Sequence, residues 1–188
     1  TRVPLILRVP GGAKGHVVRR QVEAFDIVPT ILELAGIQPQ HVHFARPLTE
    51  QVGGEQGDPD RAVFAEGGYD SFEPRCFEGS PLRDQFATDT DNIYYPKGLQ
   101  QKEHPESVCR STMIRTLKHK LIRRSSGRHE LYDLQADPQE VSNVYGQNDY
   151  QPVKGELEQQ MLDWFQRTSD VTPYEEHPRG HSWDRKGA

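Results

Sequence analysis

Between Glu130 and Val144 the chain commits to a strand that has to stop. Leu131 alternates with Asp133 on one face while Tyr132 and Leu134 share the other, the period of two that a pleated strand imposes. Asp137-Pro138 follows, and proline has no N–H for a ladder and biases its predecessor away from helix. The stretch therefore reads as the last strand of a sheet and then a turn.

Further strands precede it. Residues 112–116 and 120–124 read as a hairpin joined through Leu117-Lys118-His119, and Ser125-Ser126-Gly127 turns the chain into the strand at 130–134. A short strand at 62–66 stops at Gly67-Gly68, which makes a small four-stranded antiparallel sheet. Residues 152–168 then read as an amphipathic helix. Its stripe of Val153, Leu157, Met161, Trp164 and Phe165 is expected to pack across that sheet.

The first third of the chain has a different pattern. Residues 3–9 are almost wholly apolar and read as a buried strand ended by Pro10-Gly11-Gly12. Residues 23–35 read as a helix, with Asp26 as N-cap, Pro29 tolerated in the first turn and Gly36 closing it. Phe25, Val28, Ile31, Leu32 and Ala35 form its expected buried face. A strand, a loop and a packed helix are what the end of an α/β sheet looks like. Residues 38–61 are expected to be mostly loop, and 69–107 to be one long loop whose aromatics argue against disorder.

Composition excludes several classes. The 188 residues are enough for a core and suggest one domain with room for a subdomain. A net charge of −5 gives no general attraction to nucleic acid. Only 34% of residues are apolar, mean hydropathy is −0.82, and no apolar run approaches the length of a membrane span. Cys76 and Cys109 could pair in an exported protein but read better as small buried hydrophobes, so the compartment stays open. His41 and His43 share a face without a third metal partner. Charge is segregated, with seven Lys or Arg and no acid over 110–128, then eight acids against Lys154 alone over 130–163. That hairpin is either a surface for an anionic polymer or, the favoured reading, a set of cations paired with acids on the adjoining strand and helix.

Three motifs in order resemble one family. Arg2-Val3-Pro4-Leu5-Ile6-Leu7-Arg8-Val9-Pro10-Gly11, then Asp26-Ile27-Val28-Pro29-Thr30-Ile31 with Ala35-Gly36, then Glu130-Leu131-Tyr132-Asp133-Leu134 with Asp137-Pro138-Gln139-Glu140 and Asn143 are similar to the C-terminal portion of type I sulfatases, in the alkaline phosphatase superfamily. The resemblance implies an α/β fold: the end of an alkaline-phosphatase-like core (1–61), an antiparallel-sheet subdomain with its terminal helix (62–168), and an extended tail (169–188).

It also implies sulfate-ester hydrolysis through a hydrated formylglycine and a calcium ion. Neither Cys76-Phe77-Glu78-Gly79-Ser80 nor Cys109-Arg110-Ser111-Thr112-Met113 fits the Cys/Ser-x-Pro/Ala-x-Arg pattern of the formylglycine precursor, and Ser80-Pro81-Leu82-Arg83 has the wrong spacing. The chain is thus expected to be part of a longer enzyme whose catalytic centre and calcium lie upstream, and to be inert alone. Its expected partners are that N-terminal part and a sulfated small molecule or glycan, the glycan being favoured. Candidate substrate-binding residues border the long loop: Glu66, Tyr69, Arg75, Lys97 and His104. A phosphonate or phosphodiester hydrolase of the same superfamily, or a stand-alone binder of anionic polysaccharide, are the other readings.

Overall fold

A computed structural model describes residues 3–39, 42–69 and 88–169. The chain divides into two compact units, one of residues 1–63 with 159–188, the other of residues 64–158.

In the first unit a single 3-10 turn, Ala24–Asp26, leads into α1 (Ile27–Leu34), and α2 (Thr49–Gly53) interrupts the expected loop. Gly36 closes α1 in the left-handed region (φ 68°), which lets the N–H groups of Gly36 and Ile37 donate to the carbonyls of Glu33 and Leu32. Asp26 does stand at the cap position, but its carboxylate does not cap. It reaches back to accept the Glu23 N–H (2.8 Å) and across to accept the Arg46 N–H (2.9 Å). Arg61 clamps the same carboxylate at 2.8 and 3.0 Å and Glu23 at 2.7 Å. Thr30 continues the network, donating to the Asp26 carbonyl (2.5 Å) and accepting the Leu48 N–H (2.8 Å). Asp26 is fully buried and Arg61 nearly so, so this polar nucleus joins α1 to the 42–61 segment where an apolar contact was expected.

Two expectations are overturned here. The buried face of α1 carries Asp26, Pro29 and Thr30, whereas Phe25, Val28 and Ile31 are 48, 53 and 59% exposed. Residues 3–9 form no strand, and Val3, Leu5, Ile6 and Leu7 are exposed. The physical reason is shared. An apolar strand needs ladder neighbours and an apolar stripe needs a facing layer, and the described residues supply neither.

The second unit is built on the sheet. Its strands are β1 (Val63–Gly67), β2 (Ser111–Arg115), β3 (His119–Arg124) and β4 (Glu130–Asp133), in the order β1-β2-β3-β4. The register pairs Ile114 with Leu121 and Leu121 with Leu131, a row that is wholly inaccessible to solvent. Thr116 makes the β2–β3 turn: its hydroxyl accepts the N–H groups of Lys118 (3.2 Å) and His119 (3.0 Å). The long loop is not all loop. It contains α3 (Tyr95–Glu103), entered through Pro96 in its first turn, and a 3-10 turn at Pro105–Val108. Gly68 is required where β1 leaves the sheet. Its φ is 75°, and a Cβ there would sit 2.1 Å from the Cys109 carbonyl oxygen.

On the opposite face of the sheet, Arg115 and Lys120 are direct cross-strand partners. Like charges placed so should repel. Glu140 resolves this by bridging both, at 3.1 Å from Arg115 and in direct contact with Lys120. It is the only non-glycine with positive φ among the described residues (58°), so its backbone is held in a strained region to place that carboxylate. Burial works against the Glu140 charge, but Lys120 and then Arg115 outweigh it and hold the carboxyl below its ordinary value of 4.5. A depressed carboxyl contributes stability above its unfolded pKa and loses it as pH falls through the folded one. Stability of this unit should therefore fall as pH drops below about 4.5, and Glu140→Gln should flatten that acid limb in urea titrations. An unchanged limb would remove Glu140 from the account.

α4 (Gln151–Thr168) buries Leu157 and Met161, with Val153, Trp164 and Phe165 half-buried, so the expected stripe is present. Glu158 on its first half pairs with Arg123 of β3. The expected tail lies, beyond Ser169, outside the described residues.

Candidate functional site

The Glu130–Val144 signature explains itself structurally. Leu131 donates its N–H to Asn143 Oδ1 (3.0 Å), and its carbonyl accepts the Val144 N–H (2.8 Å), so Asn143 and Val144 complete the edge of β4. Asn143 Nδ2 also donates to the His129 carbonyl (3.0 Å), while Asp137 accepts the Ser142 N–H (2.7 Å) and sets the turn. Asp133 accepts the N–H groups of Ala136 and Gln135, which hold its carboxyl below the ordinary range. The Tyr132 hydroxyl donates to Glu130, and burial together with that neighbour pushes its pKa up to about 12. Each of these hydrogen bonds holds β4 and the turn that follows it in place.

A cleft of about 360 Å³ lies at one end of the second unit. Gln100 of α3, then His104, Glu106 and Ser107 around the 3-10 turn, form one wall; Arg124, Ser126, Arg128 and Glu130, around the β3–β4 turn, form the other. No apolar side chain lines it. Arg124 grips Glu130 through Nε (3.1 Å) and Nη2 (2.8 Å), a fixed pair. Glu106 is held more loosely, 3.4 Å from Arg128 and 3.7 Å from His104. Behind the wall, Cys109 is a free thiol that donates to the Ser126 hydroxyl (3.4 Å). Burial pushes that thiol up, but Ser126 and then Arg124 bring it below its ordinary value. His129 accepts the Arg124 N–H on Nδ1 (3.2 Å), and burial followed by Arg123 lowers its pKa, which keeps the ring neutral for that role.

Of the residues expected to meet substrate, His104 alone lines this cleft. Glu66 is exposed on β1 and Lys97 is exposed on α3. Tyr69 follows Gly68, donates its N–H to the Val108 carbonyl (2.8 Å), and has a buried hydroxyl with no hydrogen-bond partner among the described residues. Arg75, with Cys76 and His41, lies outside the described residues. Sequence reasoning missed Glu106, Ser126 and Arg128. The one signal was the density of cations at 110–128. There the paired reading holds for Arg115, Lys120, Arg123 and Arg124, which meet Glu140, Glu158 and Glu130.

Among the described residues no three His, Cys, Asp or Glu side chains converge on a point. No helix among them is long and apolar enough to cross a membrane.

Solved structures share the fold. The fold matches a phosphonate monoester hydrolase from Silicibacter pomeroyi with a TM-score of 0.66 and 22% identity, over 96% of this chain and 32% of that one. It also matches, with a TM-score of 0.53 and 22% identity, over 79% of this chain and 24% of the other, a protein solved in complex with its substrate D-glucosamine-2-N,6-O-disulfate. Residues 79–167 match the family described as N-sulphoglucosamine sulphohydrolase, C-terminal. A relative in Bacteroides thetaiotaomicron, an N-acetylglucosamine-6-O-sulfatase, is 28% identical over 98% of this chain. The chain spans only 28% of that relative's length.

Proposed function

We propose that this chain is the C-terminal part of an enzyme that hydrolyses sulfate esters on amino-sugar glycans, and that it supplies scaffold and pocket-bordering loops. The match of residues 79–167 to a sulphoglucosamine sulphohydrolase C-terminal domain carries this reading. The nucleophile and the calcium site belong to polypeptide outside this chain. The exposed apolar stripe of Phe25, Val28 and Ile31 supports such a partner, because contiguous apolar surface on a soluble protein marks a contact. Hydrolysis of a phosphonate ester is the second reading, favoured by the TM-score of 0.66 to a phosphonate monoester hydrolase.

The test uses both lengths of protein. The purified 188-residue chain, given an aryl sulfate and calcium, should show no turnover above buffer. The full-length parent should hydrolyse glucosamine 6-sulfate at least about 100-fold better, in kcat/KM, than a phenyl phosphonate monoester, a discrimination of about 2.7 kcal/mol. Turnover by the chain alone overturns the division of labour. The reverse preference overturns the sulfatase reading in favour of the second.

A further inference from the structure

We propose that the cleft between the 3-10 turn at Pro105–Val108 and the β3–β4 turn is a binding subsite for an anionic sugar residue, with Arg128 as the group that takes its charge. The inference rests on the glycan reading above and goes beyond it by assigning a site.

Size and lining select the ligand. About 360 Å³ is enough for one pyranose ring, and a wall with no apolar side chain offers nothing to a hydrophobic ligand. Gln100, Ser107 and Ser126 bring both donors and acceptors, which suits a ring of hydroxyl groups. The charges divide into two kinds. Arg124 is committed to Glu130 by two contacts, so that pair is a fixed rim. Arg128 touches Glu106 only at 3.4 Å and its side chain is 74% exposed; His104, 66% exposed, stands 3.7 Å from the same carboxylate. Ion pairs this long and this open are worth little, so an incoming anion can replace Glu106 as the partner of Arg128 at small cost. A guanidinium also meets a sulfate or carboxylate through two parallel N–H bonds, which the present contact with Glu106 does not use. Every side chain that lines the cleft lies in one compact unit.

Sulfated and uronic sugars share this chemistry, and the experiment separates them. The 188-residue chain is titrated with glucosamine 6-sulfate, glucuronic acid, N-acetylglucosamine and inorganic sulfate, and the amide resonances of Ser107, Ser126 and Arg128 are followed. At least one anionic sugar should bind about ten-fold or more tightly than N-acetylglucosamine and than inorganic sulfate, moving those three amides. The tighter of the two names the substituent. Arg128→Gln should weaken that binding about ten-fold, Arg128→Lys less, and Lys118→Gln, on the β2–β3 turn, not at all. Equal binding by Arg128→Gln overturns the proposal, as does inorganic sulfate binding as tightly as the sugar. The readout is binding, so it stands apart from turnover: a cleft that binds while the parent lacks sulfatase activity keeps the subsite and rejects the enzymatic reading.

Discussion

Arg61→Ala should destabilise the first unit by about 3–5 kcal/mol, the cost of leaving a buried charge uncompensated when its partner is removed. Arg61 touches both Asp26 and Glu23, and Asp26 is fully buried. Burial works against the Arg61 charge, but its hydrogen bonds to Asp26 and then Glu23 prevail and hold its pKa above the ordinary value. Truncation would strand two carboxylates where no water reaches Asp26. Asp26→Asn is the informative companion, since the amide keeps the shape and removes the charge of the buried carboxylate, while its single oxygen can go on accepting from only one of the Glu23 and Arg46 N–H groups. Urea unfolding of both variants would decide it. A loss below about 1 kcal/mol for Arg61→Ala would mean that water enters and solvates the carboxylates, and the polar nucleus would not be holding α1 to the 42–61 segment.

Leu121→Ala should cost about 2–5 kcal/mol in the second unit, the range for emptying a fully packed leucine site. Leu121 is the middle member of the Ile114–Leu121–Leu131 row, so its removal opens a cavity between two neighbours that strand pairing holds in place. The flanking Leu131→Ala belongs to the same range, but β4 is the last strand and its outer side is backed by the 143–144 turn rather than by another strand, so it can close inward more easily. The order Leu121 above Leu131 in thermal unfolding is therefore part of the expectation. A loss under about 0.5 kcal/mol at Leu121 would place the row at the surface.

The sheet was legible in the sequence because its determinants are local. Alternation sets the faces of β2 to β4, and Leu117-Lys118-His119, Ser125-Ser126-Gly127 and Asp137-Pro138 mark the breaks between and after them, the Thr116 hydroxyl bonds emerging only in the structure. The α4 stripe was legible for the same reason, as a period with an apolar side. The buried side of α1 was not. It depends on Arg61, 35 positions from Asp26, and no local pattern announces that a helix will turn a carboxylate inward. Residues 3–9 have the composition of a strand, but composition does not say which partner completes the ladder. α3 was hidden by Pro96, Gly98 and a sparse apolar pattern. The cleft was harder still, since its two walls come from turns some twenty positions apart and become neighbours only through the register of the sheet. His104 was found as a polar residue in a long loop; Arg128 was seen only as one of seven cations.

Glu140 also bears on how freely its position can change. Glycine would relax the backbone at φ 58° by about 1 kcal/mol but would leave Arg115 and Lys120 facing each other without a counter-charge. Asparagine tolerates the left-handed region, yet is too short to reach both cations. Glutamine has the reach and lacks the charge. Two requirements, one on the main chain and one on the side chain, favour different replacements, so no single substitution satisfies both. A short sequence signature can persist for that reason alone, as the record of a mechanical constraint at the end of a fold, with no chemistry attached to it.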